Sequence, residues 1–286
     1  MKESDPRLTP ARPDLAAAHL EGRVEAPSYV RGETRRVCLP ATPLRRHPRA
    51  DAGLDTELLC GELFTVYEEK EGWAWGQAAF DGYVGYVSAA ALGALEPEPG
   101  HRVSALRTYV YPVPNLKSPP LALLSMNAKV CIQRPGAPFC AIAFGGAPGH
   151  VFAGHLAPLN QRAPDHAGIA EMFLGTPYLW GGRQSLGLDC SALVQNALER
   201  TGVAAPRDTD MQAENLGAAV SCAPLQTVCR RGDLAFWKGH VGIMVDAHNM
   251  IHANATAMAV SVDSLASFAA AIEPEEGPIV CIRRLT

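Results

Sequence analysis

With 286 residues the chain is too long for one ordinary compact core and suits two or three domains of common size. Hydrophobic residues make up 48% and charged residues 19%, which excludes a mostly disordered chain. A formal net charge of -4, with basic residues no denser than pairs such as Arg45-Arg46, excludes a broad phosphate-binding surface, so nucleic acid is not an expected partner.

Residues 1–33 mix Pro, Arg, Asp and Ala, with one short helix-capable piece around Leu15–Leu20; they are expected to wrap over a larger body. Their start, MKESDPRLTPARPD, lacks the apolar core of a secretion signal, and no stretch reaches the roughly 20 apolar residues that cross a bilayer. The expectation is a cytoplasmic chain with no membrane partner.

Residues 34–96 change to short β-type runs between turn residues. Trp73 and Trp75 alternate with Ala74 and Gly76, and Asp81-Gly82 is a strong hairpin signal. The second segment (97–159), whose β-type part runs from about His101 to Leu159 after the linker-like EPEPG at 96–100, is again short-stranded and turn-rich, so both are expected to be small all-β barrels. Residues 160–286 read differently. A helical piece at Asp165–Leu174 precedes the loop GTPYLWGG and a helix opening at Asp189-Cys190. Strands are expected at 233–237, 240–245, 250–253 and 279–284, with a helix at Ser264–Ala271. Helices first and an antiparallel sheet afterwards make an α+β domain.

The eight cysteines are scattered without a CxxC pair, which excludes a zinc ribbon or a thioredoxin-like motif, and most read as buried thiols. Cys190 differs. Leu193, Val194, Ala197 and Leu198 recur at helical spacing and Gly202 is a natural stop, which puts Cys190 in the first turn. There the helix dipole and unpaired N–H groups favour an anionic sulfur. A purely structural cysteine would need neither the preceding Gly181, Gly182 and Gly187 nor the flanking polar Asp189 and Ser191.

A nucleophilic cysteine needs a base, and His240 opens a strand whose Val241, Ile243 and Val245 belong to the opposite, apolar face. His252, on the next strand, is placed to hold the base's second nitrogen, provided the hairpin loop has an odd number of residues or a bulge. His248 reads as an exposed loop residue. One Cys with two His suits a metal as well, but no fourth ligand has suitable spacing, so neither metal nor cofactor is expected. Ser191 either caps its helix or offers its hydroxyl to a ligand, and the Cys190 N–H is a candidate oxyanion donor. Thr209 and Gln212 form a capping-box pattern in PRDTDMQ.

The motifs PYLWGG, DCSALV, GDLAFW, HVGIM and MIHA, in this order and spacing, resemble NlpC-type peptidases, a permuted papain-like family. The resemblance implies two small SH3-like barrels followed by an α+β papain-like catalytic domain, with Cys190, His240 and His252 as the triad and Tyr178 helping to position the reacting carbonyl. Family members with N-terminal bacterial SH3-type barrels cut after γ-D-glutamate in short murein-derived peptides that carry a free N-terminal L-alanine. In these the Asp before the nucleophile, with a Glu and a Tyr of the first barrel, binds the amine, which maps onto Asp189, Glu62 and Tyr83. Asp208 and Thr209 stand where members line the substrate site, and the second barrel is expected to be a spacer. The competing readings are a non-catalytic wall-peptide-binding protein and a thiol amidase or acyltransferase acting on another substrate.

Overall fold

The computed structural model describes residues 5–220 and 229–285, so Cys222 lies outside the described residues. The chain forms two compact units, residues 1–159 and 160–286. No helix among the described residues is long and apolar enough to cross a membrane.

The first unit is almost entirely β. Seven strands pair in the row Leu54–Leu59, Ala41–Arg45, Val84–Ser88, Trp73–Ala78, Leu63–Lys70, Glu33–Val37 and Leu92–Gly93. No ladder joins the two ends of this row, so hydrogen bonding does not close it into a barrel. Period-two alternation sends Leu44, Phe64, Val66, Ala74, Ala78 and Val87 into one core. At the Asp81-Gly82 turn, Gly82 N–H donates to the Ala78 carbonyl at 3.0 Å and Tyr83 N–H to Asp81 Oδ1 at 3.1 Å.

The N-terminal residues do wrap this sheet. The Arg12 guanidinium lies 4.4 Å from the centre of the Trp75 ring and pairs with Glu68 at 2.8 Å, while Leu8 packs on the core. The helix-capable piece at Leu15–Leu20 is not a helix: Ala16–Ala17 pair in parallel with Tyr29–Val30, and Ala18–Leu20 make a single 3-10 turn. Six residues cannot repay helix nucleation, and two ladder pairs are available instead.

Residues 101–159 form three small sheets around Val103, Val110, Leu124, Val130, Ile142 and Val151. The longest ladder pairs Phe139–Phe144 with Ala147–Phe152.

The second unit has four described helices, α1 (His166–Glu171), α2 (Cys190–Thr201), α3 (Thr209–Asn215) and α4 (Leu265–Glu276). The six strands of its main sheet are β1 (Ala218–Val220), β2 (Leu234–Trp237), β3 (His240–Met244), β4 (Asn249–Asn254), β5 (Ala259–Ser264) and β6 (Cys281–Arg284). They make one antiparallel sheet ordered β1-β6-β2-β3-β4-β5. The four strands expected from the sequence are all present, and β1 and β5 extend the sheet at its two edges. Helix α2 packs on β3 and β4 and is buried nearly all round, as a central helix between a sheet and other helices must be.

Candidate active site

A two-residue hairpin, Arg183–Gln184 against Gly187–Leu188, folds the chain back just before α2. A side chain at Gly182 would meet the Gly187 carbonyl oxygen at 2.5 Å, so this turn closes only around glycine. The chain enters α2 through Asp189, whose extended backbone and Oδ1, accepting from Ala192 N–H at 2.9 Å, make it the N-cap. Cys190 is therefore the first helical residue, and it is 6% exposed.

The sulfur lies against the start of β3. Cys190 Sγ is 3.9 Å from the Gly239 carbonyl oxygen and also meets the Val241 N–H, so it touches backbone on both sides of His240. The hairpin register decides the rest. Met244 pairs with Met250 and Ile243 with Ile251, so five residues (245–249) separate the Met244–Met250 pair. Same-parity positions of the two strands then share a face, which satisfies the condition set by the sequence and brings His240 and His252 together. His240 Nε2 is 2.8 Å from His252 Nδ1, and the rings are 5.0 Å apart. His252 Nε2 is in turn 2.9 Å from Asp263 Oδ2 on β5. Phe268 of α4 covers both imidazoles, edge-on to His252 at 4.4 Å and 5.3 Å from His240.

Burial governs the protonation states. It pushes the Cys190 thiol up to about 12, reinforced by the neighbouring Asp189 carboxylate and opposed by the Val241 and Ser191 N–H groups. Burial, with the nearby His252, pulls His240 down to about 3. Desolvation thus works against the anionic sulfur that the helix terminus favours.

Asp189 does more than cap. Its carboxylate accepts from Gly181 N–H at 2.9 Å and Ser191 Oγ at 3.1 Å, and takes a bidentate bond from Arg207 at 3.0 and 2.6 Å. Ser191 Oγ also accepts from Arg207 Nη1 at 2.7 Å. Ser191 therefore does not cap α2; its hydroxyl is held inside this buried cluster. Asp189 reaches any bound ammonium only by sharing an oxygen with Arg207.

The capping box read in PRDTDMQ is also corrected. Asp208 occupies the N-cap position of α3 and makes no side-chain cap bond, Thr209 is the first helical residue, and both are half-buried. The Gln212 amide instead donates to the Ser191 and Pro206 carbonyls at 3.0 and 2.8 Å, tying α3 to α2. Tyr178 is half-buried beside the same turn, its backbone bridging to Leu188. Burial, then the neighbouring Cys190 and Asp189, hold its phenol protonated well above the usual range.

Glu62 and Tyr83 belong to the first unit. Glu62 is buried in the turn after Leu54–Leu59, with Oε2 accepting from Leu59 N–H at 2.9 Å, and Tyr83 is part of the core of the seven-stranded sheet. His248 is exposed in the β3–β4 turn. Sequence reasoning missed Asp263, Ser261, Asn254 and Phe268. The available signal was AVSVDS, whose polar Ser261 and Asp263 alternate with Val260 and Val262.

Comparison with known proteins agrees with this architecture. Residues 175–270 match the NlpC/P60 family, and residues 44–92 match the bacterial dipeptidyl-peptidase Sh3 domain. The chain is 37% identical over 101 residues to a gamma-D-glutamyl-L-lysine dipeptidyl-peptidase of Bacillus cereus, covering 32% of this chain and 29% of that protein. It is 34% identical over 119 residues to the Bacillus subtilis protein of the same name, covering 38% of each. The matched part thus spans about a third of either relative's length. Among solved structures, an NlpC/P60 family protein from Bacillus cereus superposes with a TM-score of 0.74 over 88% of this chain and 99% of that one, at 20% identity. The second unit accordingly carries a domain of the NlpC/P60 family, and it follows in the sequence an SH3 domain of the bacterial dipeptidyl-peptidase type.

Proposed function

We propose that this chain is a cysteine peptidase that hydrolyses the γ-D-glutamyl–diamino acid bond of short murein peptides. The observation that carries the chemistry is the lodging of the Cys190 sulfur against the backbone on both sides of His240, whose far nitrogen is already bonded to His252. His240 takes the thiol proton as sulfur attacks the γ-D-glutamyl carbonyl. Backbone N–H at the start of α2, that of Cys190 foremost, receives the developing oxyanion, and Tyr178 positions the carbonyl. His240 then gives the proton to the departing amine of the diamino acid. Water, activated by the same imidazole, cleaves the thioester and releases the L-Ala-D-Glu carboxylate. Neither a metal nor a cofactor takes part in these steps.

The substrate class rests on the relatives' printed activity and on the SH3 domain ahead of the peptidase domain. In this reading Asp189, Glu62 and Tyr83 serve a free N-terminal amine, Ser191, Asp208 and Thr209 line the remainder of the site, residues 97–159 are a second SH3-like spacer, and the setting is cytoplasmic recycling of wall peptides. The test is to incubate the protein with L-Ala-γ-D-Glu-diaminopimelate and with its N-acetylated twin. Release of the diamino acid from the first, its loss in Cys190→Ala, and a much lower rate on the acetylated peptide are expected. Activity retained in Cys190→Ala removes the peptidase reading, and equal rates on the two peptides remove the amine preference. A protein that binds both peptides without cleaving either is a binding module instead.

A further inference from the structure

Behind the two histidines lies a polar chain that the proposed reaction does not use. Asp263 Oδ2 accepts from Ser261 Oγ at 2.6 Å and faces His252 Nε2 at 2.9 Å. Ser261 Oγ accepts from Asn254 Nδ2 at 2.8 Å, and Asn254 Oδ1 accepts from Ala257 N–H at 2.7 Å, which fixes the orientation of that amide. The same Asn254 Nδ2 is 3.2 Å from His252 Nε2. Two groups therefore compete for one imidazole nitrogen: a carboxylate, which only accepts, and an amide nitrogen, which only donates.

We infer that Asp263 is a positioning residue that sets the tautomer of the catalytic base through two imidazoles, leaving His240 Nδ1 as the unprotonated nitrogen. This rests on the reading of Cys190 and His240 as nucleophile and base. The logic is directional. A carboxylate at His252 Nε2 requires the proton there, so His252 Nδ1 holds a lone pair. Across the 2.8 Å contact that lone pair needs a donor, which places the proton of His240 on Nε2. His240 Nδ1 is then bare and able to take the thiol proton. Were the Asn254 amide to win Nε2 instead, every proton in the chain would move over by one site, and His240 Nδ1 would carry a hydrogen and could not act as base. The carboxylate prevails because a charge-assisted bond is about twice as strong as a neutral one. Ser261 and His252 also hold the Asp263 carboxyl below the usual range, so it is ionised at neutral pH.

The experiment uses the full chain labelled with 15N-histidine, with His240 and His252 assigned by single substitution, and compares wild type with Asp263→Ala and Asp263→Glu. In wild type both rings are expected to show the Nε2–H pattern. In Asp263→Ala, His240 is expected to move to Nδ1–H, and kcat on L-Ala-γ-D-Glu-diaminopimelate to fall on the order of 100-fold or more with KM within a few-fold. Asp263→Glu is expected to restore the Nε2–H pattern and much of kcat. Wild-type His240 protonated at Nδ1, or a His240 that keeps Nε2–H in Asp263→Ala whatever happens to kcat, overturns the inference. Should Asp263→Ala not fold, the isosteric Asp263→Asn is expected to mix the two tautomers, and a single unchanged Nε2–H pattern in it overturns the inference equally. The tautomers are read without substrate, so a wild type with the expected pattern but no turnover counts against the peptidase reading alone.

Discussion

Arg207 and Asp189 form the charge pair on which the turn before Cys190 depends, with side chains 1% and 10% exposed. Removing the guanidinium strands a buried carboxylate at the foot of α2, which costs about 3–5 kcal/mol. Arg207→Ala should lower the urea midpoint accordingly, and Arg207→Lys should recover little, because an ammonium cannot span both carboxylate oxygens. The histidines bear on acid stability. His240 is pulled from 6.5 down to about 3 in the folded chain. Below pH 6.5 the unfolded chain therefore takes up a proton that the folded chain does not, and stability falls as the pH drops through this window until it levels near pH 3. His252, lowered chiefly by burial, acts in the same direction. Urea unfolding at several pH values should show a shallower loss for His240→Gln than for wild type. Equal slopes would mean that the imidazole is not desolvated. Cys190, His240 and His252 were legible from motif order, whereas Asp263 was not, because its importance comes from a strand pairing that places it beside His252.

Among the elements, α2 was the most readable, since apolar spacing, Asp189 before it and Gly202 after it all agree. Gly202 sits at φ 83 and closes the helix with its N–H on the Glu199 and Leu198 carbonyls. Gly202→Ala should destabilise the domain by roughly 1 kcal/mol through backbone strain, measured by urea unfolding, with kcat unchanged. The β3–β4 hairpin was readable only conditionally. Parity left two outcomes, and Asp246 selects between them, accepting from both His248 N–H and Asn249 N–H at 2.7 Å to set the turn. Short elements were the least readable. Ala16–Ala17, Ala218–Val220 and the start of α3 owe their state to a neighbour, not to any internal period.

At the scale of the whole molecule, the second unit has its own core, with Ala235, Trp237, Met244, Met250, Leu265 and Ile282 packed together. Residues 160–286 expressed alone should therefore unfold in one cooperative transition. A broad, non-cooperative melt would show that this core is insufficient without residues 1–159. The amino-acid sequence by itself determined the change from β-type segments to an α+β domain near residue 160, the position of Cys190 at a helix start, and the two histidines. Each of these is written in local period or in a short run of residue types, and such signals survive without knowledge of the fold. Tertiary structure alone decided that the thiol is buried, that Arg207 occupies Asp189, and that Asp263 backs His252. These depend on desolvation and on distances between residues far apart in the chain, which no local pattern encodes.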